Sequence, residues 1–271
     1  KAGYTNRESE NLPGMGYGNQ SVMYWYVFWV PNADINWLRN YWTNGKEYTE
    51  LKDVFTASPE NPYAISYEFI NSSKRNGITG NVQLNYAFTK ELSLQLRATL
   101  DRTSDDRAQK RPWTSARLAT GSYRTQDIFS KEYSGDFLLK YNKKLNNDFN
   151  ITATFGGSML KNRYSKNETR ADGLVEPNVY SFDNAANPLV YVPDTSRFSL
   201  NSMYGLFSAS YKNYLYLDLT GRTDWNSTLA NPFREKSTGF FYPSANLSFI
   251  ASDYFKLPQA ISFAKLRLSV S

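Results

Sequence analysis

The 271-residue sequence predicts an all-β protein, an antiparallel transmembrane β-barrel, from three observations. Apolar and polar residues alternate over segments of about ten residues, the length that a tilted strand needs to cross a bilayer. The connections between these segments alternate between short and long, as they do on the two rims of outer-membrane barrels. Aromatic residues, 16% of the chain, collect beside the short turns, where a membrane interface favours them.

The alternating segments are arranged as hairpins. The clearest hairpin joins segments 78–88 and 92–100 through a three-residue turn. A first strand is expected to end near Tyr4. Three further hairpins show the same pattern, at residues 133–157, 203–221 and 245–270.

Between the hairpins, long connections are predicted to be extracellular loops. Loops of this length are uncommon in compact soluble domains and are usually functional. In the first loop, apolar residues from Val22 to Trp29 have helical spacing and Asn19 is available as an N-cap, so a short helix is predicted. The β-branched and aromatic composition of the same run is also compatible with an extended segment. The predicted loops are residues 7–75, 101–131, 159–201 and 223–239.

Alternation alone does not tell a lipid-facing sheet from a soluble one, so the composition of the polar face decides. The polar positions carry mostly Thr, Asn, Gln and Ser, whereas a soluble exterior normally carries interleaved Lys and Glu. Lys and Arg lie mainly in the turns and loops. We therefore prefer a membrane barrel to a large soluble β-sandwich. The resulting face assignment points Leu84 and Leu96 to lipid, and Gln83 and Gln95 to the lumen.

The composition also argues against several classes of function. The chain has no Cys and no His, which removes Ser-His and Cys-His catalysis and the usual zinc sites, so we expect neither an enzyme nor a metal or cofactor site. The 31 basic and 25 acidic residues are scattered, which gives nucleic-acid binding little support. No apolar run is long enough for a transmembrane helix. No leader follows Lys1, so any signal peptide is expected to lie outside this chain.

Specific sequence segments carry a family resemblance that covers nearly the whole chain. The segment 211–225, Tyr-Lys-Asn-Tyr-Leu-Tyr-Leu-Asp-Leu-Thr-Gly-Arg-Thr-Asp-Trp, resembles the SusC/RagA family of TonB-linked outer-membrane proteins. Phe-Tyr-Pro-Ser at 241–244 and Asn-Pro-Tyr at 61–63 are similar to further segments of that family, as is the stretch from Pro31 to Trp42.

The resemblance implies a plugged barrel of roughly 22 strands, of which this chain is an internal portion. The plug domain and the TonB-contacting segment are expected to lie outside the chain. The implied function is TonB-dependent import of a nutrient across the bacterial outer membrane, an oligosaccharide (glycan) or a peptide, with a SusD-like surface lipoprotein as a lid. Two alternatives stay open, a passive porin and a structural or adhesive outer-membrane barrel.

Candidate substrate-binding residues lie in the predicted loops and at one strand end. An indole can stack on a sugar ring while neighbouring polar groups hold its hydroxyls, although the tryptophans could equally anchor loops or a partner. The charged residues could instead be a solvated loop, since their spacing does not match a calcium-binding EF-hand. Next to Trp225, Arg222 and Asp224 could form a lumen-facing ion pair. The candidates are Trp113, Asp105, Asp106, Arg107 and Trp225.

Overall fold

In a computed structural model of the chain, nine strands form one antiparallel sheet in which each strand pairs with its neighbours in sequence. Within the described residues, β1 and β9 are the two edges of this sheet. The structure describes residues 1–14, 21–27, 32, 34–52, 60–115, 118–230, 239–258 and 261–271. The strands are β1 (Ala2–Ser9), β2 (Asn71–Ala87), β3 (Leu92–Arg111), β4 (Ser122–Lys144), β5 (Phe149–Asp172), β6 (Val190–Tyr211), β7 (Leu215–Asn226), β8 (Gly239–Ile250) and β9 (Lys265–Val270).

The helices are short and lie in the connections between strands. Asn61 caps α2 by accepting hydrogen bonds from the amides of Tyr63 and Ala64, and Pro62 occupies the first turn, where its missing N–H is tolerated. No helix in the described part of the chain is long and apolar enough to cross a bilayer. The α-helices are α1 (Val22–Val27), α2 (Pro62–Tyr67) and α3 (Ala251–Tyr254), and single 3₁₀ turns occur at Ile35–Leu38, Phe182–Asn184 and Ser227–Leu229.

The helix predicted in the first long connection is confirmed where the structure describes it. The helix α1 begins at Val22, and the Ser21 hydroxyl accepts a hydrogen bond from the Tyr24 amide at 3.3 Å, as an N-cap side chain does. Asn19 and Trp29, which the sequence nominated as the cap and the last helical position, lie outside the described residues.

All the predicted hairpins are present, but the strands are longer than predicted and the loops correspondingly shorter. The loop predicted at 101–131 is only the connection 112–121, because β3 continues to Arg111 and β4 begins at Ser122. The other long connections are 10–70, 173–189 and 227–238, and β1 continues past Tyr4 to Ser9. The prediction failed because these strand ends are polar on both faces, so the backbone stays paired where the alternation has stopped.

The strand register separates an apolar face from a polar face. Leu84 pairs directly with Leu96 on one face of the sheet. On the other face, Gln95 donates a hydrogen bond to Asn85 at 3.0 Å. The predicted partition of leucines and glutamines between two faces is therefore confirmed. The apolar face continues from β3 to β8 through Leu96, Phe137, Phe155, Phe207, Leu219 and Leu247.

The buried apolar core of the described residues lies at the rim that carries the long connections, and not between the faces of the sheet. A cluster in the first long connection joins Leu51, Ala64 and Phe69, with Tyr41 and Trp42 packed against it. At the opposite rim, aromatic rings at the short turns contact one another edge to face, as Tyr214 does with Tyr211 and Phe249. This is the placement expected of a membrane-interface girdle.

Candidate functional site

On the polar face near the long connections, strands β3 to β5 carry four arginines, which we call the arginine cluster: Arg107, Arg111, Arg124 and Arg170. The register brings them together from three strands that are remote in sequence. Arg124 on β4 pairs with Gln109 of β3 on one side and with Arg170 of β5 on the other. Arg111 lies one row closer to the rim than Arg124, and Arg107 lies one row farther from the rim than Arg124. Sheet pairing alone therefore builds this concentration of guanidinium groups.

One buried carboxylate holds part of the cluster in place. Glu168 is only 6% exposed and accepts a hydrogen bond from Gln126 Nε2 at 2.6 Å. Its Oε1 lies 3.5 Å from Arg124 Nη1 and 3.8 Å from Arg170 Nη1, so both guanidiniums share its charge. Arg124 also donates to the side chain of Gln109, yet its buried Nε has no hydrogen-bond partner among the described residues. A buried N–H that lacks an acceptor is costly, and a ligand oxygen would relieve that cost.

Arg111 connects the cluster to the core of the first long connection. It is 4% exposed and donates hydrogen bonds to the backbone oxygen of Ile70 at 3.1 Å and to Asn71 Oδ1 at 2.6 Å. Its guanidinium also lies 5.7 Å from the centre of the Phe69 ring, within the range of a cation–π contact. The long connection is thus anchored directly beside the arginine cluster.

Two phenol groups in the connections stay protonated at any physiological pH. Burial raises the pKa of Tyr180 to about 12. Burial, followed by the hydrogen bond that the Tyr41 hydroxyl donates to Glu68 at 2.8 Å, raises the pKa of Tyr41 as well. Both hydroxyls therefore remain neutral donors near the rim.

Across the described polar face of β2 to β5, near the long connections, cations outnumber carboxylates. The Coulomb field there favours an anionic or strongly polar ligand over a cationic one. None of the described residues form a group of three or more carboxylates that could hold a metal ion. The cations are Arg75, Arg107, Arg111, Arg124, Lys166 and Arg170, and the carboxylates are Asp105, Glu168 and Asp172.

Charged pairs also line the polar face several rows closer to the short turns than the arginine cluster. Arg97 Nε lies 2.9 Å from Asp136 Oδ2, across β3 and β4. Arg222 Nε lies 2.8 Å from Asp224 Oδ1, and Arg222 Nη2 donates to the Ser202 hydroxyl at 3.2 Å. The ion pair that the sequence suggested for Arg222 and Asp224 is therefore present.

The structure separates the charged candidates that are adjacent in sequence. Asp105 and Arg107 lie on the polar face, where Arg107 Nη2 donates to Asp105 at 2.7 Å and the Ser73 hydroxyl donates at 2.7 Å. Asp106 points to the other face, opposite Asp127 of β4. These residues are in a strand and not in the predicted loop, so the expectation of one loop site containing all three is wrong.

The two tryptophan candidates also occupy different places. Trp113 lies in the connection after β3, roughly 20 Å along the strand direction from Asp105. Its buried indole Nε1 has no hydrogen-bond partner among the described residues. Trp225 is on the apolar face, because it pairs with Asn201 and alternates with Asp224. A side chain on that face cannot share a polar-face site with Arg222, so we no longer place Trp225 in the candidate site.

Sequence reasoning missed the residues at the centre of the site: Gln109, Arg111, Arg124, Gln126, Glu168 and Arg170. A signal was present, because Arg107, Gln109 and Arg111 alternate with smaller or outward-pointing residues, as do Glu168, Arg170 and Asp172. Period-two alternation of long polar residues is compatible with a strand whose two faces are both hydrated. Their convergence, however, depends on the pairing of three strands.

Comparison with known proteins agrees with this architecture. No family model matches the chain. The chain is 24% identical over 235 residues to the TonB-dependent receptor P26 of Formosa agariphila, covering 83% of this chain and 23% of that protein. It superposes on the RagAB peptide transporter with a TM-score of 0.69 at 15% identity, and on the closed-closed state of the RagAB peptide importer with a TM-score of 0.66 at 16% identity. Each superposition covers 81% of this chain and 25% of the other.

The chain thus spans about a quarter of the length of these relatives. The superpositions establish the barrel fold, in which the apolar face points to lipid and the polar face to the lumen. The similar proteins are named as a receptor and as a peptide transporter, and this chain lies in the outer membrane as part of a β-barrel. The chain is therefore a section of an outer-membrane β-barrel that is similar in sequence to the TonB-dependent receptor P26 and in fold to RagAB.

Proposed function

We propose that the full-length protein imports a polar oligomeric nutrient, an oligosaccharide or a peptide, in a TonB-dependent process with a SusD-like lipoprotein partner. The observation that carries the proposal is the arginine cluster on the lumen side. It brings guanidinium groups from three strands together directly beside the long connections, with the amides of Gln109 and Gln126 next to them. An importer must capture a dilute ligand at its outer rim, and the long connections mark that rim in outer-membrane barrels.

Two unpaired donors at the rim support a ligand rich in oxygen acceptors. The Arg124 Nε and the Trp113 Nε1 are both buried and lack partners among the described residues. Sugar hydroxyls, peptide carbonyls and carboxylates all supply the acceptor oxygens that such donors need. A neighbouring guanidinium can bind a carboxylate with two parallel hydrogen bonds, which adds geometric selectivity.

Energy coupling and the lipoprotein partner are proposed from the relatives. P26, which is similar in sequence, is a TonB-dependent receptor, and RagAB, which is similar in fold, is a peptide transporter. A passive porin, in contrast, needs no energy input.

The first test measures uptake by cells that carry the full-length gene or its deletion. Labelled mixtures of oligosaccharides and of short peptides are offered to both strains, with and without an uncoupler that removes the proton gradient. We expect one class of compound to accumulate only in energised cells that carry the gene. Gene-dependent uptake that persists at an equal rate with the uncoupler would identify a porin instead.

Replacing Trp113 by Ala tests whether the rim contacts the nutrient. If the indole stacks on the ligand, binding of the nutrient identified by uptake should weaken by roughly 1–3 kcal/mol, measured by calorimetry on the full-length protein. Co-purification of the lipoprotein should be unchanged. Trp37, which is 73% exposed in the same group of connections, provides the matched Trp→Ala control. Unchanged affinity together with a lost partner would move Trp113 to the lipoprotein interface.

A further inference from the structure

The apolar face carries a row of four cations that the strand register places side by side. Arg102 of β3 pairs with Lys131 of β4, Lys131 pairs with Arg163 of β5, and Arg163 pairs with Arg197 of β6. Lys161 lies one row closer to the short turns, opposite Tyr133. We call these five residues, all of them exposed, the outer basic row.

In the described part of the chain, no carboxylate neutralises the positive charges of the outer basic row. None of its members forms a salt bridge with a described residue. The nearest carboxylates on the same face of β3 and β4, Asp106 and Asp127, are four residues farther along their strands, about 13 Å away. Like charges directly opposite one another destabilise a sheet, so this arrangement calls for an external anion.

Below the outer basic row the same face becomes apolar on β3, β4 and β5, whereas β6 carries Ser199 and Asn201 before Met203. The next row toward the short turns has Leu100 on β3 and Tyr133 on β4. On β5, the residue below Lys161 on this face is Met159. The cations therefore stand at the upper boundary of the lipid-facing band, at the depth of lipid headgroups. A groove between them is lined by Lys131, Tyr133, Lys161, Arg163, Arg197 and Ser199.

A second groove lies immediately beneath, within the apolar band. Its lining includes Leu96, Gly135, Phe137, Gly157, Met159 and Met203. Gly135 keeps part of it open, since a Cβ added there would meet only the Arg97 backbone oxygen, at 3.8 Å. A basic groove above an apolar groove matches the two ends of a phosphorylated lipid.

We propose that the outer basic row and the groove beneath it bind a phosphorylated lipid of the outer leaflet, with its phosphates on the cations and an acyl chain against Gly135. The row crosses three strand spacings, about 14 Å in all, so more than one phosphate fits along it. A lumenal nutrient is not the occupant, because these side chains are on the face opposite the arginine cluster. The site is therefore independent of the proposed transport function.

The test measures equilibrium binding of fluorescent lipid A to the detergent-solubilised full-length protein, using the phosphorylated lipid and its dephosphorylated form. We expect the phosphorylated lipid to bind more tightly and to lose affinity with added salt. The double substitution Lys131→Gln and Arg163→Gln should weaken its binding roughly tenfold to thirtyfold, since each cation near an anionic lipid surface contributes to the attraction. Gly135→Val should also weaken binding, with the salt dependence retained.

The matched control is the double substitution Lys140→Gln and Arg267→Gln. It removes the same two charges from exposed positions on the polar face, and Lys140 shares β4 with Lys131. We expect the control to bind phosphorylated lipid A like the unsubstituted protein. Equal affinity for the phosphorylated and dephosphorylated lipids would overturn the proposal even if a variant failed to fold. An equal loss in both double variants would also overturn it.

Discussion

Leu84→Arg is expected to lower the free energy of unfolding of the full-length barrel by about 2–4 kcal/mol. Leu84 is in the middle of the apolar stretch of β2 and pairs with Leu96, so the new guanidinium would lie in hydrocarbon. The matched change is Gln83→Arg, one residue away on the polar face. Its side chain would lie in the hydrated lumen beside Arg97, where like-charge contact costs roughly 0.2–1 kcal/mol.

The measurement is a denaturant titration of folding into lipid vesicles for both variants. A larger loss for Leu84→Arg supports the assignment of the apolar face to lipid. Comparable losses for the two substitutions would contradict the assignment, because both faces of β2 would then have the same solvent. The test needs no knowledge of the nutrient.

Gly121→Ala is expected to destabilise the long-loop rim by about 2–4 kcal/mol. Gly121 has φ = +68°, which L-residues rarely adopt, and an added Cβ would lie 2.6 Å from the Arg111 backbone oxygen. The Gly121 oxygen also accepts a hydrogen bond from Gly173 N at 3.1 Å, which joins the connection carrying Trp113 to the connection after β5. Displacing Gly121 should therefore disturb the candidate site.

Gly45→Ala is the control that separates the cost of the positive φ from the cost of the steric clash. Gly45 also has a positive φ, +77°, but no atom lies within 4 Å of its added Cβ, so only the backbone term of about 1–2 kcal/mol applies. Hydrogen exchange of residues 112–121 and 173–189 in the full-length protein should increase for Gly121→Ala and remain normal for Gly45→Ala. Unchanged exchange in both would mean that the two connections are held together by other contacts.

The candidate site was only partly predictable from sequence. Trp113 and Arg107 were nominated because an aromatic residue and charged residues stood close together in the chain, and both lie toward the long-loop rim. Asp106 was assigned wrongly because consecutive residues in a strand point to opposite faces. The arginine cluster was missed because Arg124 and Arg170 are far apart in sequence and meet only through cross-strand pairing.

The predicted loop boundaries failed for a related reason. Within the membrane, one face of a strand meets lipid and the other meets water, so the sequence alternates and the strand can be recognised. Near the long connections, β3 to β5 are mostly polar on both faces, and hydrogen bonds to neighbouring strands keep them extended. Those bonds involve backbone groups, which leave no trace in side-chain periodicity.

The sequence by itself determined the membrane-level hairpins, the two-faced strands and the family resemblance, because contact with lipid selects the side chains at every second position. Only the tertiary structure decided how far each strand extends and which distant residues share a row. The lumenal arginine cluster and the outer basic row are both products of register, set jointly by paired strands. A shift of one residue in any pairing would send these side chains to the opposite face, so no single strand encodes either site.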